Sequence, residues 1–142
     1  MTDEELVGGF EAGSLADFPH EQHVRLTLIY LCRHGHAETL RKLSDGLLRF
    51  ATAKGHPEKF NVTMTRAWID LIDAARRAHP GVDDPAGLVG ACPQLLDRNA
   101  LLRFYSRDRL ETAEARERWV SPDLAPAIGV DPESIRRADT PR

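Results

Sequence analysis

Apolar residues recur at three- and four-residue intervals along most of this chain. The clearest run is Leu40, Leu43, Leu47 and Phe50, whose spacing places these side chains on one face of a helix. No segment shows the alternation of apolar and polar residues that a half-buried strand requires. The sequence therefore predicts an all-α protein, organised as a single-domain helical bundle.

Capping residues, prolines and glycines divide this pattern into separate helices. Thr2 to Glu5 resembles a capping box, and Gly35 suits the left-handed position that ends a helix. The expected elements are a helix from Thr2 to about Gly13, a second capped by Asp17 and ending near His34, a third over 36–54, a fourth over 64–78, and short helices at 85–91, 94–105 and 112–119. We expect one domain over 1–130, extended after Val120, and a frayed C-terminal tail at 131–142.

Composition and charge argue against nucleic acid and membranes as partners. The 19 basic and 22 acidic residues are well mixed and give a net charge of −3, so no basic face for nucleic acid is expected. No apolar run approaches the ~20 residues of a membrane span. The N-terminus lacks the features of a signal peptide, and Cys32 and Cys92 fit buried free thiols in a reducing compartment. These features predict a cytoplasmic protein that binds neither nucleic acid nor membrane.

Two histidines begin the most apolar helical stretch. His20 and His23 are three residues apart, so both imidazoles lie on one helix face and can converge on a ligand. The positive end of the helix dipole disfavours imidazolium there, and neutral imidazole is the form that binds a metal or accepts a proton. His20 and His23 are therefore predicted as catalytic residues or metal ligands, with a divalent transition metal as the candidate cofactor. The alternative is that one imidazole packs at the helix start and bonds a backbone group.

A second polar cluster precedes the fourth helix. Asn61, Thr63, Thr65 and Trp68 are predicted to form a substrate-binding wall. One threonine is expected to cap the helix, which leaves the other hydroxyl free to face a pocket or a histidine. Trp68 lies on the apolar face, where it is either core or a pocket wall whose indole N–H needs a partner.

Two further side chains are candidates for substrate binding. Arg25 follows the histidines on the same helix and is a possible anchor for a carboxylate or phosphate, unless it pairs with a surface acid. Tyr105 could supply a hydrogen bond in a pocket, with a core tyrosine as the alternative.

The two polar clusters belong to a longer pattern, which consists of Phe18-Pro-His20-Glu-Gln-His23-Val-Arg25-Leu, Thr63-Met-Thr65-Arg-Ala-Trp68, Leu101-Leu-Arg-Phe-Tyr105-Ser106 and Pro122-Asp123-Leu124. This combination, over roughly residues 18–126, resembles a family of small, functionally uncharacterised bacterial helical proteins. The resemblance implies a three-histidine site formed by His20, His23 and the residue at position 61. Here that residue is Asn61, a much weaker ligand for zinc or iron. The resemblance implies no particular reaction.

Together these patterns predict a pocket between the second and fourth helices that accepts a small molecule. The leading hypothesis is an enzyme of undetermined reaction, with His23 as base or ligand and metal assistance as an option. The alternative is a non-catalytic ligand-binding or helical interaction protein whose polar pocket is structural. Convergence of the histidines and threonines on one concave site favours the first. The spacing of the third helix also suits a homodimer seam.

Overall fold

The computed structural model describes residues 1–129, and the tail expected at 131–142 lies outside the described residues. This part of the chain is all-α and contains no strand, which confirms the predicted fold class. The helices are α1 (Asp3–Ala12), α2 (His20–Ala53), α3 (Val62–Ala78), α4 (Pro85–Ala91), α5 (Arg107–Leu110) and α6 (Ala113–Glu117), with single 3₁₀ turns at Pro57–Lys59, Pro93–Leu96 and Ala100–Arg103.

The first helix forms as its local signals predict. Thr2 and Glu5 make the reciprocal hydrogen bonds of a capping box, and Gly13 ends α1 with a left-handed φ of 69°. Leu6 and Phe10, one turn apart, are buried against the rest of the protein. α1 is therefore a short amphipathic helix that packs its apolar side against α2.

The second helix is interrupted where the sequence predicts a break. Gly35 has φ 79° and ψ 178°, so α2 consists of two helical segments that meet at this residue. The prediction that Asp17 caps α2 is wrong. The N-cap is Pro19, which has no side chain to accept a hydrogen bond, and His20 is the first helical residue rather than the third.

The helix predicted at 64–78, which is α3 in the structure, begins earlier than expected because its cap is not a threonine. Asn61 Oδ1 accepts a hydrogen bond from the Met64 backbone N–H at 2.8 Å, and the helix starts at Val62. The continuous helix predicted at 94–105 is also wrong. Asp97 Oδ1 accepts from the Asn99 backbone N–H at 2.9 Å, and such a local side-chain bond competes with helix continuation.

The core is built around the first segment of α2, as its apolar residues on several sides predict. Val24, Leu26 and Leu31 are all almost inaccessible to solvent, and α3 packs along this segment. Cys92 is buried as expected, whereas Cys32 is exposed because it falls on the outward side of α2. No helix within residues 1–129 has both the length and the apolar character needed to cross a bilayer.

The C-terminal segment after α6 is anchored to α3 by one buried hydroxyl. Thr63 Oγ1 donates to the Arg118 carbonyl at 2.8 Å and accepts from the Val120 N–H at 3.1 Å. Residues 120–129 contain no helix, as expected, and Leu124 N–H donates to the Phe104 carbonyl at 2.9 Å. Thr63 therefore fixes the segment after α6 to the first turn of α3.

The contact between α1 and α2 makes a first prediction. A Cβ atom at Gly46 would lie 2.2 Å from the Phe10 ring, so in Gly46→Ala the buried Phe10 ring must shift from its place between α1 and α2. We expect it to lower the free energy of unfolding by about 1–3 kcal/mol in urea denaturation. The matched control is Gly8→Ala at an exposed position of α1, where no atom lies within 4 Å of the added Cβ. It should raise the free energy of unfolding by about 0.5–1 kcal/mol. Equal stability of Gly46→Ala and the wild type would refute this packing.

The anchoring hydroxyl makes a second prediction. Thr63→Val keeps the side-chain shape but leaves the buried Val120 N–H and the Arg118 carbonyl without their partner. The free energy of unfolding should fall by about 2–4 kcal/mol, measured by urea denaturation. Thr63→Ser retains the hydroxyl and should lose about 1 kcal/mol, from the methyl group alone. A valine variant no less stable than the serine variant would show that this hydroxyl anchors nothing.

Candidate functional site

A cleft of about 620 Å³ opens where the N-terminal ends of α2 and α3 come together, in the size range of small-molecule sites. It contains five of the residues predicted from the sequence: His20, His23, Asn61, Thr65 and Trp68. Its other lining residues are Phe18, Pro19, Leu47, Phe50, Ala51, Lys59, Phe60, Met64 and Arg98. Both histidines thus line one concave surface.

The His20 ring is held in a defined orientation. Its Nε2 lies 2.9 Å from the Leu95 carbonyl oxygen, and because a carbonyl only accepts, Nε2 carries the proton. In the neutral ring the basic nitrogen is then Nδ1. The Trp68 ring lies 4.6 Å from the His20 ring between centroids, at an interplanar angle of 62°, and limits its rotation. A fixed tautomer and orientation are what a proton-accepting histidine requires.

The His23 ring has a different environment. Its Nε2 is buried and has no hydrogen-bond partner within residues 1–129. The Phe18 and His20 rings lie 5.5 Å and 6.3 Å away between centroids. Burial, and to a smaller extent the nearby His20, lowers the pKa of His23 to about 4. The ring is therefore neutral at physiological pH, as the sequence predicts for this position.

The two polar side chains on the α3 side of the cleft are already hydrogen-bonded. Asn61 Oδ1 caps α3, and its Nδ2 donates to the Leu110 carbonyl at 2.9 Å. Thr65 Oγ1 donates to the Asn61 carbonyl at 2.8 Å. Trp68 is 5% exposed and contributes mainly a ring surface. These residues shape the cleft more than they supply free hydrogen-bonding groups.

The structure keeps three predicted substrate-binding residues out of this cleft. Thr63 points to the C-terminal segment instead, where its hydroxyl is fully buried. Arg25 forms an ion pair with Asp3 at 2.7 Å, which is the surface pairing considered as its alternative. Tyr105 is a core residue whose hydroxyl donates to the Val120 carbonyl at 2.6 Å. Each has satisfied its polar group by a tertiary contact that the sequence does not display.

The three-ligand metal site implied by the resemblance does not fit the residues present. Within the described part of the chain, no three histidine, cysteine, aspartate or glutamate side chains cluster closely enough to hold a metal ion. His20 Nε2 is engaged by Leu95, and both polar atoms of Asn61 are engaged by the backbone. The described residues of the cleft therefore offer two imidazoles without a third ligand for a metal ion.

Two cationic residues of the cleft were missed by the sequence analysis. Lys59 stands two residues before Asn61, which is a weak signal of proximity. Arg98 comes from the loop between the last two 3₁₀ turns, and no local signal links it to α2. A larger cleft of about 980 Å³ lies between α1 and the second segment of α2, but it contains no histidine.

Comparison with known proteins adds no assignment. No protein-family model matches the chain, and no match was found among curated proteins or among solved structures.

The buried imidazole makes a prediction about pH. His23 has a folded pKa of about 4 against 6.5 for the free side chain, so the unfolded state binds the proton more readily. Its contribution to stability is present above pH 6.5 and is lost as the pH falls toward 4. Between pH 7 and 5 this loss lowers the free energy of unfolding by about 2 kcal/mol.

Two measurements check it. In an NMR titration of the side-chain nitrogens, the His23 ring should stay neutral down to about pH 5. In urea denaturation, the free energy of unfolding of His23→Asn should fall by about 2 kcal/mol less than that of the wild type when the pH is lowered from 7 to 5. Exposed His34 serves as the matched control, since His34→Asn removes a histidine outside the cleft. A His23 titration midpoint near 6.5 would contradict the burial argument.

Proposed function

We propose that this protein binds a small organic molecule in the cleft between α2 and α3 and acts on it by proton transfer. His20 is the proton acceptor, through Nδ1, and His23 is a neutral hydrogen-bonding group. The observation that carries this proposal is the pair of unlike imidazoles on one concave surface, one oriented by Leu95 and the other with a buried Nε2 that has no hydrogen-bond partner in the described part of the chain. Pairs of titratable groups in contrasting environments are typical of acid–base sites.

The division of roles follows from the two environments. A general base works best when its pKa lies near the working pH, which a buried imidazole with a pKa of about 4 does not satisfy. His20 donates Nε2–H to Leu95, which resembles the orienting contact that a catalytic histidine receives from a third group. We therefore assign the base role to His20 and not, as the sequence indicates, to His23.

A second candidate is non-catalytic ligand binding. It is favoured by the same low pKa, because a permanently neutral His23 is suited to hold a ligand rather than to exchange a proton with it. It is also favoured by Asn61 and Thr65, whose polar groups are used within the fold instead of facing a substrate. Binding without turnover separates this candidate from the first.

The test begins with binding. A library of neutral, anionic and cationic fragments is screened by ¹H–¹⁵N NMR, with the indole N–H of Trp68 as reporter and that of Trp119 as internal control. Trp119 lies outside the cleft, so ligands of the cleft should shift Trp68 and leave Trp119 unchanged. Fragments that perturb Trp119 alone, or no fragment that perturbs Trp68, would refute the proposed binding site.

The second stage tests proton transfer. Each bound fragment is incubated in D₂O and followed by mass spectrometry for deuterium incorporation or hydrolysis. We expect turnover by the wild type, a loss of about 10²-fold or more in His20→Gln, and a smaller loss in His23→Gln. His56→Gln is the control, because His56 is exposed and outside the cleft. Binding by every variant with no turnover by any would establish the ligand-binding alternative.

A further inference from the structure

The cleft carries an unbalanced charge. Lys59 and Arg98 line it, and neither side chain forms an ion pair or a hydrogen bond within residues 1–129. No aspartate or glutamate is among the described residues that line it. Of the neighbouring acids, Glu58 contacts His56 at 3.2 Å and also interacts electrostatically with Lys59, whereas Asp97 accepts from the Asn99 backbone N–H. The lining of the cleft thus carries two cations and no acid among the described residues, and Glu58 beside it offsets only part of the charge of Lys59.

The backbone adds positive potential to the same cleft. α2 begins at His20 and α3 at Val62, and residues of both first turns line the cleft. The N-terminus of a helix carries a partial positive charge and unsatisfied N–H groups. At α2 no side chain satisfies them, because its N-cap is Pro19. The two helix ends reinforce the two side-chain cations rather than opposing them.

The remaining walls are apolar, and half of their residues are aromatic. Phe18, Phe50 and Trp68 contribute ring surfaces, and Leu47 and Met64 contribute aliphatic ones. Phe18 lies 5.5 Å from His23 and Trp68 lies 4.6 Å from His20 between ring centroids, so each histidine has an aromatic ring beside it. Such walls bind the apolar body of a ligand, while the cations fix the position of a charged end.

We infer that the ligand of this cleft is a small organic anion, with an apolar or aromatic body and a terminal carboxylate or phosphate that Lys59 and Arg98 bind. This inference rests on the proposed function, because it names the class of molecule that the same cleft accepts. Arg98 can engage either oxyanion through paired N–H donors, and Lys59 acts as a point charge. The apolar body then lies against the aromatic rings beside the imidazoles.

The test compares matched probes by the shift of the Trp68 indole resonance in the full-length protein. The probes are phenylacetate, phenyl phosphate, neutral phenylacetamide and cationic phenethylamine. We expect one or both anions to bind at least about tenfold more tightly than the amide, and the amine to bind more weakly still. Preference for phenylacetate or for phenyl phosphate then identifies the charged group.

Charge-removing variants locate the binding of the anion. Lys59→Gln and Arg98→Gln should each weaken it by about threefold to tenfold without changing binding of the amide. Arg107→Gln, an exposed arginine outside the cleft, is the matched control and should have no effect. Raising the salt from 50 to 300 mM should weaken the wild type more than the double variant, because exposed cations are screened. Thermal unfolding confirms that the variants remain folded.

The outcomes distinguish this inference from the function on which it rests. Equal binding of phenylacetate and phenylacetamide, unchanged in the double variant, would overturn the anion and leave a small-molecule cleft in place. Tighter binding of phenethylamine than of the two anions would also overturn the inference of an anionic ligand. If none of the four probes shifts Trp68, the anion class is rejected as well, and the wider fragment screen alone decides whether the cleft binds small molecules.

Discussion

The first turn of α3 is the point on which the rest of the structure depends. Asn61 caps the helix with one amide atom and holds the Leu110 carbonyl with the other, while Thr63 holds both Arg118 and Val120. These bonds are buried or partly buried, where an unpaired partner costs about 1–3 kcal/mol. One turn of helix therefore holds the segment from Leu110 to Val120 in place. It also forms one wall of the histidine cleft, so the cleft is fixed by the same contacts that close the fold.

This dual use explains why the cleft has so few free polar groups. A side chain that anchors a segment cannot also reorient toward a ligand, so Asn61 and Thr65 are fixed parts of the wall. What remains free for chemistry is the imidazole pair and the two cations. Such a site can orient a charged molecule and exchange a proton with it, without requiring a third ligand for a metal. Rigid walls also keep the His20 ring in place, which proton transfer requires.

The sequence could predict those features of the fold and site that depend on neighbouring residues. The capping box at Thr2 and the break at Gly35 are local events, and both are confirmed. The histidine pair shares a helix face for the same local reason. The cap at Asn61 was missed because asparagine and threonine are nearly equivalent as caps, and only the contact with Leu110 decides between them. Arg98 and the Leu95 carbonyl reach the cleft through tertiary folding, which leaves no periodic signal.

The buried His23 imidazole has an energetic cost, and this cost bears on the function of the cleft. An imidazole whose Nε2 finds no partner in the described chain is less stable there than an apolar side chain of similar size, because its desolvation is uncompensated. It also makes the protein more sensitive to acid, since its depressed pKa favours the unfolded state below pH 6.5. Phe18 and Trp68 show that apolar rings fit this region well. A residue that lowers stability where an apolar one would raise it is typical of functional sites, and this is the strongest argument from energetics that the cleft has a ligand.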